Sequence, residues 1–364
     1  MDCPSLIPDI NYGDFSKRLH QAVVRNRIPV GGSIDLTNRC NLRCVHCYIN
    51  DSKSQDELNT GELTGILDEI ADEGCLWMLF SGGEPLLRKD FRDIYLHAKK
   101  RGFLINLFTN ATLITEDIAD YLADWRPFAV EVSLYGLSEE TYASVTGVKG
   151  AFERCMQGIE MMRERDIPLR LKSMILTLNK HELEGMIEFA RERDVEFRYD
   201  TNIHARVDGS DDPNRYRLEP MEVIKMDYAD KRRIKALRQF VDYASKAKLN
   251  KKHVFHCGGG LNSFHIGADG LLYLCMMYRK QGYNLRKGSF ADGWNDFIPG
   301  IRYREIEGEY RCSQCEHFFL CGQCPGWGQL ENGDELKASD FLCRLAHLRA
   351  DVFTDEPLWQ TEIS

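Results

Sequence analysis

GGSIDLTNRCNLRCVHC, residues 31–47, joins a short strand-like run to a loop with cysteines at 40, 44 and 47. The run GGSIDLT, around residues 32–38, reads as the first strand, and the loop follows it at once. Spacings of four and three let such a loop wrap three thiolates around one face of a cubane cluster. Three cysteines leave the fourth iron open, and an open position marks a catalytic rather than a structural metal site. The competing reading is half of a zinc site with His46 as fourth ligand.

The next apolar run, CLWMLFSGG (75–83), reads as a buried strand and ends in SGGEP (81–85). Glycines at a strand end let a ligand approach the backbone, and Glu84 offers a carboxylate to an ammonium group. A plain strand-ending turn explains the same residues. Between these landmarks, 60–73 reads as a helix: Asn59 or Thr60 caps it, and Leu63, Ile66, Leu67 and Ile70 share a face. The alternation continues with helices at 90–100, 115–124, 151–165 and 181–193, and strands at 103–110, 128–136, 169–176 and 196–203. Six β–α rounds with buried strands predict a parallel sheet with helices outside, curled by right-handed crossovers into a complete or partial barrel. Both cysteine loop and SGGEP then lie at the C-terminal end of the sheet, where α/β folds carry their sites.

After Ile203 the rhythm breaks. VDGSDDPNRYRLEP reads as loop, about Pro220 to Lys248 as a helical stretch, and 264–275 as a hairpin around Asp269-Gly270. The remainder is rich in Cys and Gly and poor in periodicity, so metals are expected to hold it. The expected organisation is an N-terminal segment (1–31), a barrel (32–215), a helical linker (216–250) and a cysteine-rich domain (251–364).

Composition narrows the class. Of 364 residues 43% are hydrophobic and 28% charged, ordinary for a globular protein. No apolar run reaches the roughly 18 residues of a membrane span, and MDCPSLIPDINYGDFSK has no export signal. A net charge of −9 without any strongly basic stretch argues against a nucleic-acid partner. The expected setting is the cytoplasm. Thirteen cysteines are many for a reduced compartment, and ten of them fall into two blocks, 40–47 and 257–343. Cys3, Cys75 and Cys155 stand alone, the last two reading as inert buried thiols.

The three-cysteine loop and Gly82-Gly83-Glu84-Pro85 together resemble the radical S-adenosylmethionine (radical SAM) superfamily. The resemblance implies a partial (β/α)₆ barrel, in agreement with the six rounds. It also implies a [4Fe–4S] cluster on Cys40, Cys44 and Cys47 whose open iron is chelated by the amino and carboxylate groups of S-adenosylmethionine. Electron transfer then yields a 5′-deoxyadenosyl radical that abstracts hydrogen from a substrate. By the same resemblance the backbone at 82–84 holds the methionine amino group and Ser133 contacts ribose or carboxylate. Arg154 is a further carboxylate contact, with a solvated helix arginine as the alternative, and Tyr48 flanks the adenine.

The second block, Cys257, Cys275, Cys312, Cys315, Cys321, Cys324 and Cys343, contains C-x₂-C-x₅-C-x₂-C. Two C-x₂-C units suit a zinc ribbon, yet seven thiolates exceed one zinc and fall one short of two clusters. With Gly270 it resembles the SPASM extension of radical SAM enzymes, departing from it in having two residues, not three, before the fourth core cysteine. The resemblance implies auxiliary cluster I on Cys257, Cys275 and Cys324, and cluster II on Cys312, Cys315, Cys321 and Cys343. GGGLNSFH lacks the extra cysteine of sulfatase-maturing relatives, so the open iron of cluster I is left to His256, another side chain, water or substrate.

Members with this layout most often modify ribosomally made peptides, with an auxiliary cluster accepting or relaying electrons. Oxidative modification of a peptide, such as cross-linking, is therefore the leading expectation, with an external reductant such as flavodoxin or ferredoxin. Only 39 residues precede Cys40, so a separate leader-recognition protein is expected, as in pyrroloquinoline-quinone biosynthesis. The alternative is a small molecule or cofactor precursor such as a tetrapyrrole side chain, for which Arg198, His204 and Arg206 are candidate contacts, with exposed loop charges as the competing reading. A non-catalytic zinc module is the third class, which an anaerobic reconstitution giving about 11–12 irons per chain would exclude. Asp200, Glu131 and Tyr135 fall near strand ends without marking a general base.

Overall fold

The computed structural model describes residues 11–49, 56–245 and 252–354. Cys3 and the outer parts of the expected N-terminal, linker and C-terminal segments lie outside them. A first helix, α1 (Tyr12–Asn26), opens at Asn11, whose side chain accepts from Gly13 N–H, and closes on left-handed Arg27. The sequence reading assigns no helix here, because only Val23 of α1 is buried while Tyr12, Phe15 and Leu19 face outward.

The alternation then runs β1 (Gly31–Thr37), α2 (Thr60–Asp72), β2 (Trp77–Gly82), α3 (Phe91–Lys100), β3 (Leu104–Thr109), α4 (Glu116–Asp124), β4 (Ala129–Ser133). It continues through α5 (Glu139–Thr146), α6 (Ala151–Arg163), β5 (Leu169–Met174), α7 (Leu183–Glu192) and β6 (Glu196–Asp200). All six expected strands are present, parallel and in sequential order. Local chemistry sets the boundaries. Asn59 caps α2 through a reciprocal box with Glu62, its side chain accepting from Glu62 N–H while the Glu62 carboxylate accepts from Asn59 N–H. The short helix α5 is additional to the expected set, and Ser138 caps it.

Two expectations need correction. The strands are not buried on both faces: β3 alternates between partly buried Leu104, Asn106 and Phe108 and buried Ile105, Leu107 and Thr109. Ile34, Phe80, Leu107, Val130 and Leu171 pack outward against Leu67, Ile94, Ala98, Leu122, Ile159 and Met186 of the helices, all fully enclosed. The other face carries polar groups. Asp35 pairs with Ser81, Phe108 with Glu131, Glu131 with Arg170, and Arg170 with Glu196, and cross-strand partners share a face. An open sheet places its core between strands and helices and leaves its concave side free for a site. Secondly, the stretch from Pro220 is two helices, α8 (Pro220–Ala229) and α9 (Lys231–Ser245). Asp230 leaves helical geometry and its carboxylate accepts from Arg232 and Arg233 N–H, starting the new helix.

The expected hairpin exists as β7 (Ser263–Ile266) and β8 (Leu271–Tyr273), followed by β9 (Tyr283–Asn284). It is no separate layer: β7 lies parallel beside β1, Gly31 against Ser263 and Ile34 against Ile266. One nine-stranded sheet therefore runs β6-β5-β4-β3-β2-β1-β7-β8-β9, past the boundary expected near residue 250. The region beyond also buries more apolar surface than its pattern suggested. A helical run comprises α10 (Phe290–Asp292), a π turn (Gly293–Phe297) and α11 (Ile298–Arg302), and it encloses Phe290, Trp294 and Ile298. Trp294 Nε1 donates to Arg27 O, and Arg27 Nη2 donates to Trp294 O, so this run locks the end of α1 to the C-terminal region. The last helices are α12 (Phe318–Cys321), α13 (Pro325–Asn332) and α14 (Asp340–Thr354). No helix among the described residues is long and apolar enough to cross a membrane.

Trp294→Ala is expected to cost about 3–5 kcal/mol of stability, because it empties a large enclosed site and removes the Arg27 clamp. Anaerobic denaturant titration checks this; a loss below about 1 kcal/mol would mean that the clamp is not structural.

Candidate active-site cavity

A cavity of about 730 Å³ opens at the C-terminal ends of β1–β6. Cys40, Cys44 and Cys47 form one side, with Tyr48, Gly82, Gly83 and Ser133 beside them. Met276, Met277 and Trp327 also line it, and they lie one, two and three residues beyond Cys275 or Cys324. A second, more open depression of about 840 Å³ lies near Cys315, His317 and His347, away from the sheet ends.

The cysteine loop is fixed from several directions. Thr37 Oγ1 and Asn38 N–H both donate to Glu57 Oε1 at 2.8 Å, closing the strand exit. Arg43 N–H donates to Thr146 O and Val45 N–H to Val145 O, so the loop rests on the end of α5. Asn110 Nδ2 donates to Asn41 Oδ1 at 2.9 Å, and Asn41 Nδ2 to Thr112 Oγ1 at 2.7 Å. Leu42 N–H points at Cys40 Sγ from 3.4 Å, the kind of contact that tunes a cluster.

Gly82 and Gly83 are required by close approach. Gly82 has φ +119°, and a Cβ on it would meet Thr37 O at 2.2 Å; one on Gly83 would meet Arg39 O at 2.2 Å. Gly83 N–H donates to Thr37 O at 2.7 Å and Glu84 N–H to Arg39 O at 2.9 Å, tying the end of β2 to the loop. Glu84 does not line the cavity. It is fully buried, accepting from Thr109 Oγ1 and Asn110 N–H at 2.8 Å and from Leu86 N–H at 3.2 Å. Burial raises its carboxyl to about 7 against those donors. Its side chain braces the loop, where the sequence reading aims it at an ammonium.

The remaining expected contacts divide. Tyr48 and Ser133 line the cavity, as do Glu131, Tyr135, Arg198, Asp200 and His204. Arg154 sits exposed in the first turn of α6, and neither it nor Arg206 lines the cavity. His46 packs edge-on against Tyr135 with centroids 4.7 Å apart, and burial pulls its imidazole down to about 4. Lys172 was missed, although a lone lysine in the apolar run LRLKSMIL is a signal. Burial brings its amine down to about 7, with Glu131 opposing. Met276, Met277 and Trp327 were also missed, for want of any pattern beyond adjacency to cysteine.

Behind the loop, at the β1–β7 seam, Asp35 is fully buried. His265 Nε2 lies 3.2 Å and Arg279 Nη2 2.9 Å from its Oδ2. Burial alone would raise this carboxyl, but the two partners hold it below its ordinary value. Arg279 follows Cys275 by four residues, so the seam joins the barrel to the second cysteine block.

The donor sets suit iron clusters. Burial raises the thiol of Cys40 to about 11 and that of Cys44 well above its ordinary value, and the other two sulfurs of the loop add to the shift at Cys44. Three thiolates at this place would be stabilised by a bound cationic metal centre, as an iron cluster would supply. Among the described residues no three donors converge on one ion point, whereas a cubane takes each thiolate on a separate iron. In the second block, burial and the charges of Cys257 and Cys324 push Cys275 up to about 12. Burial and the charges of Cys312, Cys343 and Cys315 do the same for Cys321. Cys275 thus has Cys257 and Cys324 as charge neighbours, and Cys321 has Cys312, Cys315 and Cys343. Trp327 N–H donates to Cys324 Sγ at 3.3 Å, and the His256 ring packs edge-on against Phe318, 5.4 Å between centroids.

Comparison with known proteins agrees with this geometry. Residues 34–191 match the profile of the Radical SAM superfamily. The AdoMet-dependent heme synthase of Methanosarcina barkeri is 29% identical over 331 residues, 84% of this chain and 94% of that protein. The PqqA peptide cyclase of Bradyrhizobium diazoefficiens is 33% identical over 171 residues, 46% of this chain and 45% of that protein. The chain thus matches nearly the whole of the first and about half of the second. The structure of Streptococcus suis SuiB bound to precursor peptide SuiA has the same fold, with TM-score 0.69 and 17% identity over 95% of this chain and 84% of that one.

Gly83→Ala is expected to push the end of β2 off the cysteine loop, lowering SAM affinity at least about tenfold, the equivalent of about 1.4 kcal/mol. Anaerobic equilibrium dialysis of the reconstituted protein measures this, and unchanged affinity would show that the close approach does not shape the site.

Proposed function

We propose, because residues 34–191 match the profile of the radical SAM superfamily, that this enzyme oxidatively modifies a ribosomally made peptide in the cavity above the sheet. The fold binds a [4Fe–4S] cluster and S-adenosylmethionine; in our reading Cys40, Cys44 and Cys47 hold the cluster. Gly82, Gly83, Ser133 and Tyr48 shape the nucleotide's berth, with Glu84 bracing it from behind. When loaded, the site supplies a 5′-deoxyadenosyl radical that takes one hydrogen atom from the substrate. The two cysteine groups of the C-terminal region hold auxiliary clusters, Cys257/Cys275/Cys324 nearer the cavity, as an outlet for the second electron of an oxidation.

One observation carries this reading: the three-cysteine loop and the chain neighbours of Cys275 and Cys324 line one and the same cavity. A hydrogen-abstracting centre and an electron acceptor thereby face one substrate space. Met276, Met277, Phe108, Tyr135 and Trp327 give that space apolar walls, which exclude water from a substrate radical. The peptide class is supported by the PqqA peptide cyclases and by the shared fold of SuiB. A reductant such as flavodoxin or ferredoxin completes the cycle. A second reading, a tetrapyrrole side chain as substrate, is favoured by the heme synthase, the relative that aligns over 84% of this chain.

Replacing Cys40, Cys44 and Cys47 together with Ala should abolish 5′-deoxyadenosine formation by the reconstituted enzyme; persistent formation would refute the assignment. Cys324→Ala should lose about four irons and the product while SAM cleavage survives. Unchanged product would remove that cluster from the reaction. Mass spectrometry separates the substrate classes: peptides encoded beside the gene should lose about two hydrogens per event, whereas loss of CO₂ from a porphyrin would favour the second reading.

A further inference from the structure

A chain of alternating charges crosses the concave face on β4, β5 and β6. Lys172 Nζ stands 3.9 Å from Glu131 Oε2, and Glu131 Oε1 stands 3.8 Å from Arg170 Nη1. Arg170 Nε lies 3.0 Å from Glu196 Oε2, and Arg198 Nε donates to Glu196 Oε1 at 2.7 Å. Three cations alternate with two carboxylates, so the chain is one anion short and positive at both ends. Those ends are neighbours, because Lys172 and Arg198 are cross-strand partners, and both line the cavity. Asp200, further along β6, has its Oδ1 engaged by Asn202 N–H at 2.9 Å.

Lys172 is the less satisfied end. Its ammonium lies over the face of Phe108, and among the described residues its Nζ has no hydrogen-bond partner. Its side chain keeps 27% of its surface open, toward the cavity. Burial, only partly opposed by Glu131 at 3.9 Å, draws its amine down to about 7. A carboxylate entering between Lys172 and Arg198 would complete the alternation and restore the ammonium.

We propose that Lys172 and Arg198 together bind a carboxylate of the substrate against the β5–β6 wall. The substrate class is thereby narrowed to an acidic one, either an acidic residue of a peptide or a propionate of a tetrapyrrole. This rests on the reading of the cavity as the substrate space of a radical enzyme. Ser133, the partner of Lys172 on β4, is an expected SAM contact, so the rival ligand is the carboxylate of SAM itself.

The test is anaerobic binding to the reconstituted, SAM-loaded enzyme. Two probe pairs are used: coproporphyrin III with its tetra-amide, and the pentapeptide acetyl-Ala-Ala-Glu-Ala-Ala-amide with its Gln counterpart. One acid form should bind about tenfold tighter than its neutral partner, and the pair that discriminates identifies the source. Lys172→Gln and Arg198→Gln should each erase that preference, and Lys172→Arg should keep it. No preference in the wild type, or a preference surviving both Gln variants, would overturn the proposal. So would a tenfold loss of SAM affinity in Lys172→Gln with the acid preference intact. Absence of 5′-deoxyadenosine from the wild type would instead strike the radical-enzyme reading, since acid preference is read without turnover.

Discussion

Two backbone hydrogen bonds set the geometry on which the site depends. Gly83 and Glu84 donate to the carbonyls of Thr37 and Arg39, and the approach is so close that neither Gly82 nor Gly83 can carry a Cβ. This contact fixes the end of β2 against the start of the cysteine loop. The buried Glu84 carboxylate then ties the same turn to Thr109 and Asn110 of the next strand, and Asn110 reaches back to Asn41 within the loop. Three successive strand ends are thereby braced around Cys40. Buried thiols there resist ionisation, so the loop is built for a ligand that brings positive charge.

The second constraint is the division of the sheet's two faces. Apolar side chains pack outward under the helices, and the concave side is left to Asp35, Ser81, Glu131, Arg170, Lys172 and their neighbours. A closed barrel would fill that side with side chains. Here the sheet stays open and adds β7, β8 and β9 beyond β1, so the cysteine-rich region is hydrogen-bonded onto the barrel. The buried set of Asp35, His265 and Arg279 lies on that seam. Met276 and Met277, just before Arg279 in the chain, line the cavity together with the cysteine loop.

Much of this was legible in the sequence, for identifiable reasons. The apolar face of α2, the Asn59 cap and the six strand runs are local signals, and the structure keeps them. What escaped depends on contacts distant in sequence. Nothing in SFHI announces that β7 will pair with a strand more than 220 residues earlier. The helix break at Asp230 turns on one carboxylate capping the next helix, a choice hidden in a charged stretch. At the site, the residues with short-range motifs, Cys40, Cys44, Cys47, Gly82 and Gly83, were readable. Glu84 sits beside the site but points away from the cavity, because its partners Thr109 and Asn110 lie at the end of another strand. Lys172 and Trp327 entered only through the fold.

The measurement that bears most directly on the central claim is the electron paramagnetic resonance spectrum of the reduced, reconstituted protein with and without S-adenosylmethionine. If the cysteine loop holds a cluster with an open iron, SAM should shift the g values of one [4Fe–4S]⁺ signal, and that signal should vanish in Cys44→Ala. A spectrum indifferent to SAM, or a SAM-responsive signal that survives Cys44→Ala, would contradict the account.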